Sequence, residues 1–281
     1  MASRKRTREL VSRRKRRGRG TSSRANVLGV FLILAALSAI AGVAYLRLFV
    51  LDPVEIDAES LCPKSGPVGD LIVLLDVTDP LAPSQYEQIL ARISREIEEA
   101  PVFTRVTFGL VSPDLHSRGG ESLNLCKPPS GEDANQLYEN PKLLEQRFRE
   151  RFVRPLEAAL KRLLLSEPAN SSPIMESLQL LVARATLSSR DERPLRLVVI
   201  SDLLQHSETF SFYRGDRWKT FKGSREVERV GTTLSGADVL LLQIPRPSVG
   251  AVSIEEIDEF WAEYFNLQGA RRVKKEVIGD L

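Results

Sequence analysis

The sequence predicts a doubly wound α/β domain on a mostly parallel sheet, behind one N-terminal transmembrane helix. Three observations carry this. Along residues 68–281, short apolar runs alternate with helical periodicities, as strands buried on both faces by crossover helices require. Ahead of them, residues 27–46 form a stretch of twenty residues without a charge, which as a helix rises roughly 30 Å, the thickness of a hydrocarbon core. The composition, 42% hydrophobic and 27% charged, suits a chain that buries one good-sized core, and is neither disordered, collagenous nor coiled-coil.

Charge divides the chain. Residues 1–25 hold eleven Lys/Arg and one Glu, whereas the remainder holds 29 basic and 36 acidic residues. An acidic body argues against a nucleic-acid role for the main domain. The first segment reads as a basic cytoplasmic tail and residues 26–50 as the membrane helix, followed by a linker over 51–67 and the α/β domain over 68–281. Arg-rich flanks stay inside and Arg47 alone competes on the far side, so a single-pass protein of the inner (cytoplasmic) membrane is expected, its C-terminal domain periplasmic or otherwise extracytoplasmic. A rival reading takes "SRR" at 12–14 as a twin-arginine signal and 39–41 as a cleavage site. Against it, no polar region separates the apolar run from that site, and "LFVL" resumes apolar character after Arg47.

Within the domain, residues 71–75 form a buried strand, and 84–100 an amphipathic helix with Ile89, Ile93 and Ile97 four apart. A second strand covers 105–111. Residues 112–142, rich in Pro, Gly and Ser, form a long irregular stretch. Helical spacing returns in Leu144, Phe148, Phe152, Leu156 and Leu160, with Pro155 either kinking that helix or starting a new one. A helix over 173–187, strands at Leu195–Ser201 and 238–244, and a helix over Ile254–Leu267 complete the pattern.

The two cysteines, Cys62 and Cys126, form an even pair in the exported part and predict one disulfide. Their spacing excludes a C-x-x-C motif. With only His116 and His206 in the chain, His-rich metal sites and Ser-His-Asp catalysis have little material, and neither G-x-S-x-G nor G-x-x-x-x-G-K-[ST] occurs.

Ligands in doubly wound sheets bind at the carboxyl ends of the strands, where Asp76 in "LLDVTDP" and Asp202 in "VVISDLL" stand. Ser172-Pro173 opens a helix that could start at the same edge, though a serine before a proline is also what a plain helix N-cap looks like. Asp76-x-Thr78, Ser172-Pro173 and Asp202 together resemble the metal-ion-dependent adhesion site of the von Willebrand factor A (vWA) family, in its membrane-anchored bacterial type. The resemblance covers roughly residues 68–270. It implies that Asp76, Thr78, Ser172 and Asp202 hold Mg²⁺, with a partner's carboxylate completing the shell. The third position of the first motif departs from the family: Pro80 carries no side-chain oxygen, and Asp79 or water would have to replace it.

Residues 209–223, "TFSFYRGDRWKTFKG", mix aromatic and basic side chains of the types enriched at binding hot spots, so Phe212, Tyr213, Arg214, Arg217 and Trp218 are candidate partner contacts. The bland alternative packs these aromatics back on the body. The resulting functional expectation is a non-enzymatic interaction module that binds a protein partner outside the cytoplasm. The enzymatic alternative is a metal-dependent phosphatase of the haloacid dehalogenase type, whose Asp-x-Asp motif has Thr78 here in place of the second carboxylate and so lacks a general acid/base. A reporter that works only outside the cytoplasm, fused after Leu281, is expected to be active; activity of a cytoplasm-only reporter at the same point would reverse the assigned topology.

Overall fold

A computed structural model of the chain describes residues 23–45, 54–114, 123–135, 139–186, 193–246 and 252–279. Most of the basic tail, Arg47 and His116 lie outside the described residues. The chain divides into two compact units, residues 1–54 and 55–281. In the first, α1 (Ser23–Tyr45) contains a 19-residue span, Val27–Tyr45, long and apolar enough to cross a membrane. Its large side chains, Phe31, Ile33 and Leu37 among them, are exposed.

The second unit is built on a six-stranded sheet in the order β3-β2-β1-β4-β5-β6. The strands are β1 (Gly69–Leu75), β2 (Thr104–Leu110), β3 (Asn124–Cys126), β4 (Leu195–Ser201), β5 (Asp238–Gln243) and β6 (Arg272–Val277). Every pairing is parallel except that of β2 with β3. The chain therefore starts in the middle of the sheet, winds outward to β3, and returns past β1 to build the other half. This is the doubly wound, mostly parallel architecture expected from the apolar runs.

β1 is buried at all seven positions because it lies between β2 and β4 and has a core on each face. Ile72 and Leu74 enter a cluster with α5 (Ile174–Thr186) and α8 (Ile254–Leu267), where Leu178, Trp261 and Tyr264 are fully buried. Leu71, Val73 and Leu75 enter the opposite cluster, with Ile89 and Ile93 of α2 (Pro83–Glu99) and with Phe152, Leu156 and Leu160. Period-2 alternation is thus present in an uninterrupted apolar run, divided between two cores. Gly109 in β2 lets α5 approach closely, since a Cβ there would stand 2.5 Å from a Leu181 methyl.

Pro155 stands in the first turn of a new α-helical segment, one of the two expected alternatives. α3 (Pro141–Phe148) runs into a π-helical turn, Arg149–Val153, and then into α4 (Arg154–Leu164). Arg154 N–H reaches back to the carbonyl of Arg149, five residues earlier, and Pro155 falls in the first turn of α4, where a missing N–H matters little. Two strands are absent from the sequence expectation. β3 has only three residues, and β6, "RVKKEV", is too charged to read as a buried strand because it is the sheet's edge, where lysines discourage further pairing.

Cys62 and Cys126 form a disulfide with Cα atoms 4.8 Å apart, spanning a sequence separation of 64. It attaches the segment before β1 to the end of β3, and the backbone bond from Cys126 N–H to Ser60 O, 2.9 Å, lies beside it. Replacing both cysteines with serine should lower unfolding stability by up to about 4 kcal/mol, the chain-entropy value for a loop of this size. Denaturation of wild type with and without reductant reads the same quantity, and coincident curves would mean that the bridge contributes nothing.

Candidate functional site

Parallel strands β1, β4 and β5 end at one edge of the sheet, and the segments leaving them meet there. Asp76 follows β1 and is buried, its backbone N–H donating to Ile200 O at 2.8 Å. Its carboxylate accepts four hydrogen bonds. Thr78 donates to Oδ1 through its backbone N–H at 3.1 Å and its hydroxyl at 2.7 Å. Ser172 and Ser201 donate their hydroxyls to Oδ2 at 2.8 and 2.7 Å. An ionised carboxylate has about four lone-pair sites, so Asp76 is saturated.

Each donor is itself held. Ser172 exchanges backbone bonds of 2.9 Å in both directions with His206, and the Ser201 hydroxyl accepts from Leu203 N–H at 2.8 Å. Asp202 closes a short turn by accepting from Leu204 N–H at 2.9 Å. That turn needs Leu203 in the left-handed region, φ 67°, a conformation costly for a branched side chain. Complete burial of the Leu203 side chain and the Trp261 indole N–H, 2.8 Å from Leu203 O, hold it there. Beneath, fully buried Gln205 accepts from Met175 N–H at 3.0 Å, satisfying an orphan amide at the start of α5, and donates to Glu176 and Ser207. The Ser172 side chain therefore serves Asp76, while a residue from another segment caps the first turn of α5.

Asp76, Thr78, Ser172 and Asp202 are brought to one edge, as the sequence pattern implied. Three participants are missing from that pattern: Ser201, Gln205 and Arg246. Arg246 follows β5 by three residues and reaches across the edge. Its Nη1 donates to Pro80 O at 2.9 Å, while its Nε lies 3.6 Å from Asp202 Oδ2 and 3.9 Å from Asp79 Oδ2. Its only sequence signal is position, three residues beyond a predicted strand's carboxyl end.

The residues present do not fit a resident divalent cation. Pro80 has no side-chain oxygen to offer and gives its carbonyl to an arginine, and the guanidinium of that arginine stands beside the second carboxylate. Among the described residues, no group of three or more His, Cys, Asp and Glu is arranged to hold a metal ion.

The aromatic segment divides between core and surface. Phe212 is buried with Phe210, Phe221 and Phe260, their ring centroids 5.0 to 5.1 Å apart in the Phe210–Phe212, Phe210–Phe221 and Phe212–Phe260 pairs. Its expected place among the partner contacts is corrected: Phe212, like Phe210, packs its ring against Phe260 of α8. Trp218 packs edge-on against Phe260 and is only partly exposed. Arg214 bonds Ser207 O, Glu208 O and Asp216, and Arg217 pairs with Glu256, both remaining at the surface. Tyr213 is 53% exposed, its ring edge-on to His206.

No protein-family model and no curated protein matches the chain. Among solved structures it is similar to the conserved hypothetical protein BatB from Bacteroides thetaiotaomicron, at 16% identity over 75% of this chain and 91% of that one, with a TM-score of 0.39. An aerotolerance-related membrane protein from Bacteroides fragilis, carrying multiple mutations to serines, is similar at 13% identity over 75% and 92%, TM-score 0.34. The SpRpn10 VWA domain is similar at 8% identity over 76% and 90%, TM-score 0.37. The chain's own geometry gives the doubly wound, mostly parallel sheet with Asp-x-Thr, Ser and Asp side chains gathered at its carboxyl edge.

Burial, and then the neighbouring Asp76 carboxylate, push the Asp202 carboxyl up to about 6, with Leu204 N–H and Arg246 opposing. A carboxyl raised in the folded state is charged at lower pH when unfolded, so it costs nothing below about pH 4 and its full penalty above about pH 6. Asp202→Asn keeps the acceptor for Leu204 N–H and removes the charge. It should therefore stabilise the protein at pH 8 by on the order of 2 kcal/mol, with the gain vanishing as pH falls towards 4. Denaturation midpoints across that range check this, and a gain independent of pH would overturn it.

Proposed function

We propose that this chain is a membrane-anchored interaction module that holds a protein partner, outside the cytoplasm, on the carboxyl edge of its vWA-like sheet. The observation that carries the reading is the saturated Asp76 carboxylate. With four donors on its two oxygens it has no lone pair to offer as a nucleophile or base, so the edge displays a rigid surface instead of performing a reaction. The phosphatase alternative needs that carboxylate free, and a second carboxylate where Thr78 instead donates to the first.

Tyr213, Asp79 and Arg214 are exposed around this edge, and an amphipathic aromatic beside fixed charges is the chemistry of an interface anchor. The charge asymmetry about α1 supports an extracytoplasmic, periplasmic placement of the domain, with the anchor in the inner membrane. A disulfide agrees with an oxidising compartment. Residue-specific crosslinking at position 213 in intact membranes should trap a protein partner. Tyr213→Ala should weaken its co-purification about tenfold while leaving the melting temperature unchanged. Equal recovery with Tyr213→Ala, or trapping of lipid alone, would overturn the assigned face.

A further inference from the structure

The metal expectation and the geometry disagree at one residue, and the disagreement has a physical source. Arg246, from the segment after β5, reaches two of the elements of the expected cation site, the loop after β1 and the turn after β4. Its side chain is about four-fifths buried, with 20% of its surface accessible. Nη1 is bonded to the carbonyl of Pro80, the residue whose side chain fails to supply the third oxygen of the first motif. Nε is buried without a hydrogen-bond partner and points between the carboxylates of Asp202 and Asp79, too far for a direct bond to either. A buried guanidinium nitrogen without a partner is costly unless the field around it is favourable, and two carboxylates, Asp79 and Asp202, provide that field.

We infer that Arg246 is the built-in cation of this edge, standing in the place that a divalent metal takes in the vWA pattern and excluding that metal from it. Guanidinium stays charged at every accessible pH, binds carbonyl and carboxylate oxygens together, and needs no dehydration from solvent each time the site forms. Mg²⁺ requires near-octahedral oxygens at about 2.1 Å, and the space beside Asp202 that would admit it is taken by the arginine. The arginine neutralises part of the acidic edge permanently, so the surface offered to a partner has the same charge in chelator as in millimolar Mg²⁺. The inference concerns the cation alone and stands whether or not the proposed partner exists.

The test uses the full chain purified in detergent, with Mn²⁺ in equilibrium dialysis as the probe and melting curves in Mg²⁺ and in chelator. Wild type should retain no more Mn²⁺ than Asp76→Ala, and its melting temperature should be the same in both solutions. Arg246→Gln removes the charge and opens the position, so it should acquire Mn²⁺ binding and melt about 5 °C or more higher at saturating metal. Arg246→Lys keeps the charge and should stay unresponsive, and Asp76→Ala on the Arg246→Gln background, which releases the Thr78 and Ser172 hydroxyls that Asp76 orients, should abolish the gain. Arg246→Ala replaces Arg246→Gln if circular dichroism shows that the latter does not fold, and wild-type dialysis decides the exclusion of metal independently of both. Specific Mn²⁺ retention by wild type, or a folded Arg246→Gln and Arg246→Ala without metal response, overturns the inference.

Discussion

The carboxylate of Asp76 is the constraint around which the functional edge is organised. It stands at the end of the central strand, buried, where an ionised group survives only if its lone pairs are met. The donors come from its own loop, from the segment before α5 and from the end of β4. Fixing the first loop, the entry to α5 and the exit of β4 to one group makes them a single rigid body. The strained turn at Leu203, the His206 bridge and the Gln205 cap are then determined by their attachment to that body.

Charge at this edge follows from the same packing. Burial, and then the charge of the neighbouring Asp76 carboxylate, raise the proton affinity of Asp202, and Arg246 relieves only part of the cost. Structural carboxylates are more often paired so that their charge is stabilised. Here part of the surplus is kept. At Pro80, which has no side-chain oxygen, the backbone carbonyl accepts from Arg246.

Much of the fold was legible because burial on both faces of a parallel sheet leaves a strong trace. Strands such as "LIVLL" and "LRLVVIS", and helices with isoleucines four apart, admit few other placements. β3 and β6 left no such trace, since β3 has only three residues and β6 is an edge strand that carries charged residues. Asp76, Thr78, Ser172 and Asp202 were legible as oxygen-bearing residues at or near the carboxyl edge. Their hydrogen-bond pattern was not, because which hydroxyl donates to which oxygen depends on distances of tenths of an ångström between segments about a hundred residues apart. The residues around Phe212 show the opposite difficulty: aromatic side chains look alike in sequence whether they face solvent or a core.

By itself the sequence determined the apolar membrane-length span, the asymmetric charge around it, the alternating strands and helices, and the two carboxylates at strand ends. Each is a local property, fixed by composition or by a period of two or 3.6 residues. Tertiary structure alone decided that Asp76 is saturated, that Phe212 belongs to the core while Tyr213 does not, and that Arg246 stands beside Asp202. These are relations between segments distant along the chain, and no local pattern encodes the distance at which a guanidinium from the end of β5 meets a carboxylate from the end of β4.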